Sequence, residues 1–437
     1  MSSTACKVIA AALLAGLLAL VMAPARSAET ATADDTAHFL AGLPPTPDSP
    51  LVALSKSSFW QDHARYFNSI FDREDRTTLS KVRAFSQARL TEQHDTLLYM
   101  FSGPDFLYAT SFFPHAKTYV LSGLEPVGEV PELTGLPRAS VERALGDLRG
   151  SLSTILNISF FITQKMKTQL SDGQVYGTLP ILYVFLARTG KTIHDVSFVA
   201  LDKDGNFLAP DEPAAQGSGK RSARNAERSA AKGVKIVFSD GSGPMQTLYY
   251  FSTNIADDGI RSSGLLPFCA KLGVADSFLK SASYLLHNGG FTTIRTFLLG
   301  QSATILQDDS GIPLAYFDAK NWRLQPFGHY LPPLSLFPGT YQGEMAELFR
   351  KGDAVPLDFG IGYRWRKNES NLLLAERIGP TPGETSGNPA LTNGADTTAA
   401  MMPRKRHGET RSQPSAFRSF LGLFGGGVSS SRPRPPN

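Results

Sequence analysis

The sequence predicts an α/β protein with a Rossmann-like, mostly parallel sheet and helices on both faces. Residues 96–101 and 118–121 are two short apolar runs of strand-forming residues. Between them, the turn SGPD at 102–105 opens a short helix at 106–113, and a carboxylate, Glu125, follows the second run. This order of strand, glycine turn, helix, strand and acid is typical of the first half of a nucleotide-binding sheet.

The composition allows one large core and argues against a nucleic-acid partner. The chain has 437 residues, of which 42% are hydrophobic and 10% aromatic. The formal net charge is +4, but segment 379–437 holds seven Lys or Arg and three Asp or Glu and so supplies all of it. The rest of the chain is neutral, whereas a nucleic-acid-binding protein usually carries a basic face in its folded part.

The N-terminus has the pattern of a secretory signal peptide at 1–25. Lys7 precedes an uninterrupted apolar run at 8–23, and Ala23-Pro24-Ala25 offers a small-x-small cleavage site. The alternative is an uncleaved anchor, although the run is shorter than the ~20 residues that span a bilayer. No later stretch is long and apolar enough to cross a membrane, so we expect a periplasmic or secreted protein without a transmembrane segment after cleavage.

The remaining pattern predicts a single α/β domain at 52–378. Segment 26–51 is polar and then proline-rich, which predicts a disordered lead-in. A helix at 55–75 with a heavy aromatic face and a second helix at 78–90 would form an N-terminal helical cap. Further helices are predicted at 137–149, 152–167, 179–187, 264–272, 277–287, 291–299 and 343–351, and further strands at 194–200, 206–208, 234–238, 247–253, 303–307 and 322–327.

Three segments complete the predicted organisation. Segments 359–365 and 371–376 bracket a polar turn, which predicts a strand–turn–strand hairpin that closes the fold. Segment 210–233 is low in apolar residues and is predicted to be a mobile insertion. Segment 379–437 is dominated by Gly, Pro, Ser, Thr and Arg, which predicts a disordered basic tail. That tail could bind an acidic or envelope partner, or it could be passive.

The candidate ligand-binding residues are Gly103, Asp105, Glu125 and Arg364. In an open α/β sheet, ligands bind beyond the carboxyl ends of the strands. Gly103 would let a ligand approach the backbone, and Asp105 would either contact that ligand or cap the helix that follows. Glu125 could bind a ribose hydroxyl or lie on the surface. Arg364 could clamp an anion or stay solvated. The sequence names no cofactor.

The candidate catalytic residues are Asp308, Asp309 and His329. Adjacent carboxylates repel each other unless a cation or hydrogen-bond donors hold them, which suggests an acid–base or metal site, or else an Asx turn without function. His329 lies among aromatic residues and could be a general base or a structural histidine. No zinc-binding spacing is present, and Cys269 has the apolar neighbours of a buried thiol, so zinc chemistry is not predicted and no residue is named as a metal ligand.

Two resemblances follow from these motifs. The layout of residues 96–126 is similar to the first half of class I methyltransferase-like Rossmann folds, but the acidic-x-Gly-x-Gly core of that family is missing here. The phrases SGPDFLYATSFFP, YVLSGLEPVG, ILQDDSGIPL and GYRW resemble those of an exported bacterial protein family to which no activity is assigned. The first resemblance implies the fold, and the second implies export.

Three hypotheses about function remain open at this point. The first is an exported, non-catalytic protein that binds a ligand or associates with the envelope. The second is an enzyme, either a hydrolase or a cation-assisted enzyme, that uses Asp308, Asp309 and His329. The third is an interaction protein that acts through its basic tail.

Overall fold

The structure is a computed structural model, and it describes residues 30–380 except 131, 159–174, 210–229, 333, 335–336 and 352–353. The predicted signal peptide, most of the predicted insertion and the tail from 381 onward lie outside the described residues. Within the described ranges, no helix is long and apolar enough to cross a membrane.

In the described part of the chain, nine strands form one mixed sheet, which confirms the predicted α/β class. The strands are β1 (Thr96–Tyr99), β2 (Thr118–Gly123), β3 (Lys191–Ala200), β4 (Lys232–Asp240), β5 (Gln246–Ser252), β6 (Ala275–Leu279), β7 (Ser302–Gln307), β8 (Trp322–Gly328) and β9 (Asn371–Arg377). Their order across the sheet is β3-β4-β5-β2-β1-β6-β7-β9-β8. The five central strands, β5-β2-β1-β6-β7, are parallel to one another, and antiparallel strands flank them on both sides.

The first predicted unit of the fold is present as expected. Strands β1 and β2 are parallel neighbours, with Leu98 opposite Val120, and a helix at Phe106–Phe112 connects them. After β2 the chain goes to the edge strand β3 and returns through β4 to β5, which lies beside β2. It then crosses to β6 and β7 on the other side of β1. The strand order therefore reverses between β1 and β6, which is where doubly wound sheets open a crevice for ligands.

Helices cover both faces of the sheet. They are α1 (Ala33–Leu40), α2 (Val52–Ser55), α3 (Ser58–Glu74), α4 (Ser80–Arg89), α5 (Phe106–Phe112), α6 (Arg138–Ile158), α7 (Leu179–Arg188), α8 (Asp257–Ile260), α9 (Leu265–Lys271), α10 (Thr292–Gln301) and α11 (Gly343–Arg350). Side chains alternate along β1, so Leu97 and Tyr99 join a core with α1 and α3–α7, whereas Leu98 joins a second core with α8–α10. Two hydrophobic layers thus hold the sheet.

Two predictions in the N-terminal half are wrong. The predicted disordered lead-in at 26–51 contains helix α1, where the Thr32 side chain accepts from the Asp35 amide and Phe39 is fully buried. The short polar start concealed this amphipathic helix. The sequence predicts two separate helices at 137–149 and 152–167. The structure instead has one helix, α6, that continues through Gly150 and Ser151 to Ile158, and residues 159–167 lie outside the described residues.

Two further predictions are wrong in the C-terminal half. The helix predicted at 277–287 is instead the end of strand β6 followed by a 3-10 helix at Ser281–His287. The hairpin predicted from 359–365 and 371–376 does not form. Strand β9 pairs with β7 and β8, and segment 359–365 is a loop. Both errors involve the carboxyl edge of the sheet, where the candidate site lies.

Candidate functional site

The turn after β1 holds Asp105 in a buried position. Phe101 has a φ of +65° and Gly103 has a φ of +56°, so the chain turns sharply as it leaves the strand. Asp105 caps helix α5 by accepting from the Tyr108 amide at 3.2 Å, as one sequence interpretation expected. It also accepts from the Tyr99 hydroxyl at 2.8 Å, although Asp105 is only 1% exposed.

Lys280, directly after β6, reaches across the crevice to Asp105. Its Nζ donates to Asp105 Oδ2 at 2.7 Å and lies 3.9 Å from the centroid of the Tyr108 ring. Both charged side chains are almost completely buried, at 3% and 2% exposure. The Tyr108 hydroxyl in turn donates to Glu74 at 2.9 Å, and burial raises the pKa of Glu74. A buried chain of polar contacts therefore runs from α3 into the crevice between β1 and β6.

The polypeptide turns again at Ser281. This residue has a φ of +63°, and it and Phe101 are the two non-glycine residues with positive φ in the described ranges. Such conformations are costly and tend to occur at functional sites. The Ser281 amide donates to Asp308 Oδ2 at 3.2 Å. Its buried hydroxyl finds no hydrogen-bond partner among the described residues.

Asp308 follows β7 and carries the most strongly perturbed carboxylate at this edge. Its Oδ1 accepts from the Ser310 amide at 2.9 Å and from the Ser310 hydroxyl. Burial, reinforced by the neighbouring Asp309 carboxylate, raises the pKa of Asp308 to about 7. The side chain can therefore gain or lose a proton near neutral pH.

Asp309 faces a different partner. Arg364 donates to Asp309 Oδ2 from Nη2 at 3.1 Å and from Nε at 3.3 Å, and it also donates to the carbonyl oxygen of Pro332 at 2.8 Å. Both side chains of this ion pair are buried. The Asp309 amide donates to Asn371 at 2.8 Å, so strand β9 fixes the backbone of the acidic turn.

The loop before Arg364 closes over the crevice. Gly362 has a φ of +58°, and a Cβ atom there would lie 2.6 Å from Ser281 Oγ, 2.7 Å from Asp308 Oδ2 and 2.9 Å from Lys280 Cγ. Only glycine fits at this position, for reasons both of conformation and of space. The loop at 360–364 is therefore seated directly on the charged cluster.

Tyr284 completes the cluster. Its hydroxyl is buried near the Asp309 carboxylate, but it has no partner of hydrogen-bond geometry within the described part of the chain. Burial and the two nearby aspartates raise its pKa. Its ring stacks on Phe337 with centroids 4.5 Å apart and on Tyr363 at 6.2 Å. Aromatic contacts thus hold the Tyr284 hydroxyl beside the Asp309 carboxylate.

Gly103 and Glu125 lie beside the cluster, at the ends of β1 and β2. A Cβ atom on Gly123 would lie 2.5 Å from Glu125 Oε2 and 3.1 Å from the Gly103 Cα. The predicted glycine and acid are therefore neighbours, as the Rossmann-like layout implies. Glu125 is buried, and its carbonyl oxygen accepts from the Tyr250 hydroxyl at 2.9 Å.

The predicted site residues are brought together unevenly. Asp105 and Asp308 are linked through the consecutive residues Lys280 and Ser281. His329 is exposed, and its documented hydrogen bonds are those of its backbone to Ser370 and Asn371. Its role as a general base stays a prediction.

Sequence reasoning missed Lys280, Ser281, Tyr284 and Gly362. The available signal was a lysine inside the otherwise apolar start of segment 277–287, but helical spacing masked it. Among the described residues, no three His, Cys, Asp or Glu side chains are grouped so as to hold a metal ion. A groove of about 190 Å³ lies elsewhere, between α4 and residues 355–359.

These features define a Rossmann-like α/β protein in which a buried, charged cluster lies at the carboxyl ends of the parallel strands. No protein-family model, curated protein or solved structure matches the chain.

Proposed function

We propose that the protein binds a small, neutral, polar molecule at the carboxyl ends of the parallel strands of its sheet. The proposal depends on one observation above the others. Ser281, a residue with a costly backbone conformation, presents a buried hydroxyl that has no hydrogen-bond partner in the described part of the chain, at the point where the strand order reverses. Unsatisfied buried polar groups are costly, so a bound molecule that hydrogen-bonds to this hydroxyl and to that of Tyr284 would recover free energy.

The pairing of both cations in the cluster supports a ligand that carries no negative charge. Lys280 is paired with Asp105, and Arg364 is paired with Asp309. Each cation thus faces a carboxylate at hydrogen-bond distance, which weakens the sequence-based idea that Arg364 clamps an anion. Hydroxyl or amide groups on the ligand would satisfy the Ser281 and Tyr284 hydroxyls without requiring another charge to be buried.

A thermal-shift screen of the exported chain with sugars, nucleosides and small amides tests this proposal. A ligand that raises the melting temperature of the native chain should lose most of that effect in Tyr284→Phe. The matched control is Tyr119→Phe, because the Tyr119 hydroxyl donates to the Phe113 carbonyl oxygen at 2.7 Å and is already satisfied. That control should lower stability but retain the ligand shift. An equal ligand shift in Tyr284→Phe and the native chain would contradict the proposal.

We also propose that this binding takes place outside the cytoplasm. The support is the apolar run at 8–23 with Ala23-Pro24-Ala25 after it. Cell fractionation with N-terminal sequencing should recover a chain that begins at Arg26. Placing charges in the run with Leu17→Arg and Leu18→Arg should block export, whereas Leu17→Ile should not. An uncleaved chain in the cytosolic fraction would count against export.

A second candidate function is catalysis with Asp308 as a general acid–base group. The specific observation in its favour is that burial and Asp309 raise the pKa of Asp308 to about 7, close to the value at which proton transfer is most efficient near neutral pH. Of the forms in the original hypothesis, the hydrolase form is the better supported. The cation-assisted form lacks a group of ligands among the described residues.

The resemblance to methyltransferase-like folds and the role of the tail rest on the sequence alone. The order of the parallel strands is compatible with a core related to class I methyltransferase-like folds, but the missing glycine motif gives no reason to propose methyl transfer. The tail lies outside the described residues, so its role as a binding segment stays a prediction. Deleting 379–437 and measuring association with envelope fractions would test that role.

A further inference from the structure

Ser281 lies at a sharp strand-to-helix turn. Strand β6 ends at Leu279, Lys280 is still extended with a φ of −150° and a ψ of 139°, and the 3-10 helix begins at Ser281 itself. A serine held at positive φ on such a turn projects its hydroxyl from the top of the sheet, as nucleophilic serines do in α/β hydrolases. Glycine would adopt this φ without strain, so the backbone alone does not explain a serine here.

The Ser281 hydroxyl and Asp308 lie on the same small space beneath Gly362. One point, the Cβ position of Gly362, lies 2.6 Å from Ser281 Oγ and 2.7 Å from Asp308 Oδ2, so the two oxygens border the same small space. Ser310 holds Asp308 Oδ1 through its amide and its hydroxyl. Asp308 Oδ2 is therefore the oxygen directed to Ser281, where it already accepts from the backbone amide at 3.2 Å.

The burial of both groups favours reactivity over a structural role. A structural serine in a core normally donates its proton to a carbonyl, as Ser111 does to Leu107 at 2.7 Å. Ser281 makes no such bond within the described ranges, and water is largely excluded from it. A buried hydroxyl that borders the same small space as a carboxylate can act as a nucleophile when that carboxylate accepts its proton.

We propose that Ser281 is a nucleophile and Asp308 is the base that accepts its proton, in acyl transfer from a small carboxylic ester. The proposal rests on the second candidate function. Ser281 Oγ forms a bond to the ester carbonyl carbon, its proton passes to Asp308, and the carbon–oxygen bond to the alcohol breaks as Asp308 returns the proton to the leaving oxygen. Water then attacks the acyl-serine, and its proton passes through Asp308 to Ser281 Oγ as the carboxylic acid departs.

The loop at 360–364 must move for an ester to enter, because the space beside Gly362 is too small even for a Cβ atom between the loop and the two reacting groups. The Arg364–Asp309 ion pair holds that loop in place. Arg364 is therefore a positioning residue for the cover, and Arg364→Ala should expose Ser281 without removing a reacting group. Comparing Arg364→Ala with the native chain therefore distinguishes a Ser281 that the reagent cannot reach from a Ser281 that does not react.

Labelling with a fluorophosphonate, followed by peptide mass spectrometry, tests the proposal on the full exported chain. We expect a single adduct, on Ser281. The Arg364→Ala variant should form it faster than the native chain, and it should form it even if the closed loop prevents labelling of the native chain. Asp308→Asn should slow the labelling by about 100-fold, which is within the usual contribution of a general base. The control is Ser122→Ala: Ser122 is a buried serine at the end of β2 whose hydroxyl is already bonded to Met100, and its loss should leave the labelling unchanged.

Two results would overturn the proposal. One is the absence of an adduct on Ser281 in both the native chain and Arg364→Ala, when circular dichroism shows both to be folded. The other is an Asp308→Asn variant that labels as fast as the native chain. The assay contains no ligand, so it is independent of the thermal-shift test with Tyr284→Phe. Ligand binding without labelling would leave the binding proposal standing and remove only the nucleophile.

Discussion

Replacing Lys280 by methionine removes the cation that faces Asp105 in the crevice while keeping the apolar stem of the side chain. The ion pair joins atoms 2.7 Å apart at 3% and 2% exposure. Removing one partner of a buried pair leaves an uncompensated charge and typically costs about 3–5 kcal/mol. Asp105 keeps two donors, the Tyr99 hydroxyl and the Tyr108 amide. We therefore expect Lys280→Met to lower the free energy of unfolding by an amount near the lower end, about 3 kcal/mol.

Urea unfolding followed by circular dichroism measures this loss. The double variant Lys280→Met, Asp105→Asn removes the unpaired charge, and its amide oxygen can still accept from Tyr99, so it should recover more than half of the loss. The control is Lys117→Met. Lys117 pairs with Asp95 at 2.8 Å, but both side chains are mostly exposed, and exposed pairs contribute at most about 1 kcal/mol.

Two outcomes would refute this reasoning. A Lys280→Met chain as stable as the Lys117→Met chain would mean that the cluster is hydrated and that its charges are screened. A double variant no more stable than the single variant would mean that the loss comes from packing rather than from the charge left on Asp105.

Three further predictions concern the same edge. Ser281→Gly should raise the free energy of unfolding by about 1 kcal/mol in urea titrations, because glycine accepts a φ of +63° and leaves no buried hydroxyl unsatisfied. Gly362→Ala should destabilise more than Gly190→Ala, which also has positive φ but has open space around it; equal losses would show that the loop is not seated on the cluster. Asp308 has a folded pKa of about 7, raised from 3.8, so its carboxyl favours folding below pH 4 and loses that contribution as the pH rises through 7. The native chain should therefore have a higher free energy of unfolding at pH 5 than at pH 8, and Asp308→Asn should reduce this difference. An unchanged difference would contradict the raised pKa.

The first α/β unit could be predicted because its signals are local. Strand β1, the turn with Gly103 and Asp105, and helix α5 lie within a few residues of one another, and each follows from propensity and capping rules. The positions of Asp308 and Asp309 at the end of β7 follow for the same reason: a short strand-forming run leads directly into an acidic turn.

The rest of the site could not be predicted because its key strand is ambiguous in sequence. Apolar residues in 277–287 recur at helical spacing, and a short buried strand cannot be distinguished from a buried helix by periodicity alone. Strand β6 forms because it lies between β1 and β7, and this is a tertiary effect. Because the sequence pattern of β6 indicates part of a helix, the sequence does not predict that Lys280 lies next to Asp105, which is 175 residues away in the chain.

Some of the residues around Asp105 are needed to form the fold, and others are not. Capping α5 requires only that Asp105 accept from the Tyr108 amide, and an exposed aspartate would do this at no electrostatic cost. The structure adds a buried lysine, a buried tyrosine hydroxyl and a positive-φ serine around that cap. None of these additions is needed to close a parallel sheet, and each carries a cost of desolvation or strain. The proposed binding of a ligand or substrate at the reversal of strand order would explain why the chain carries these costs.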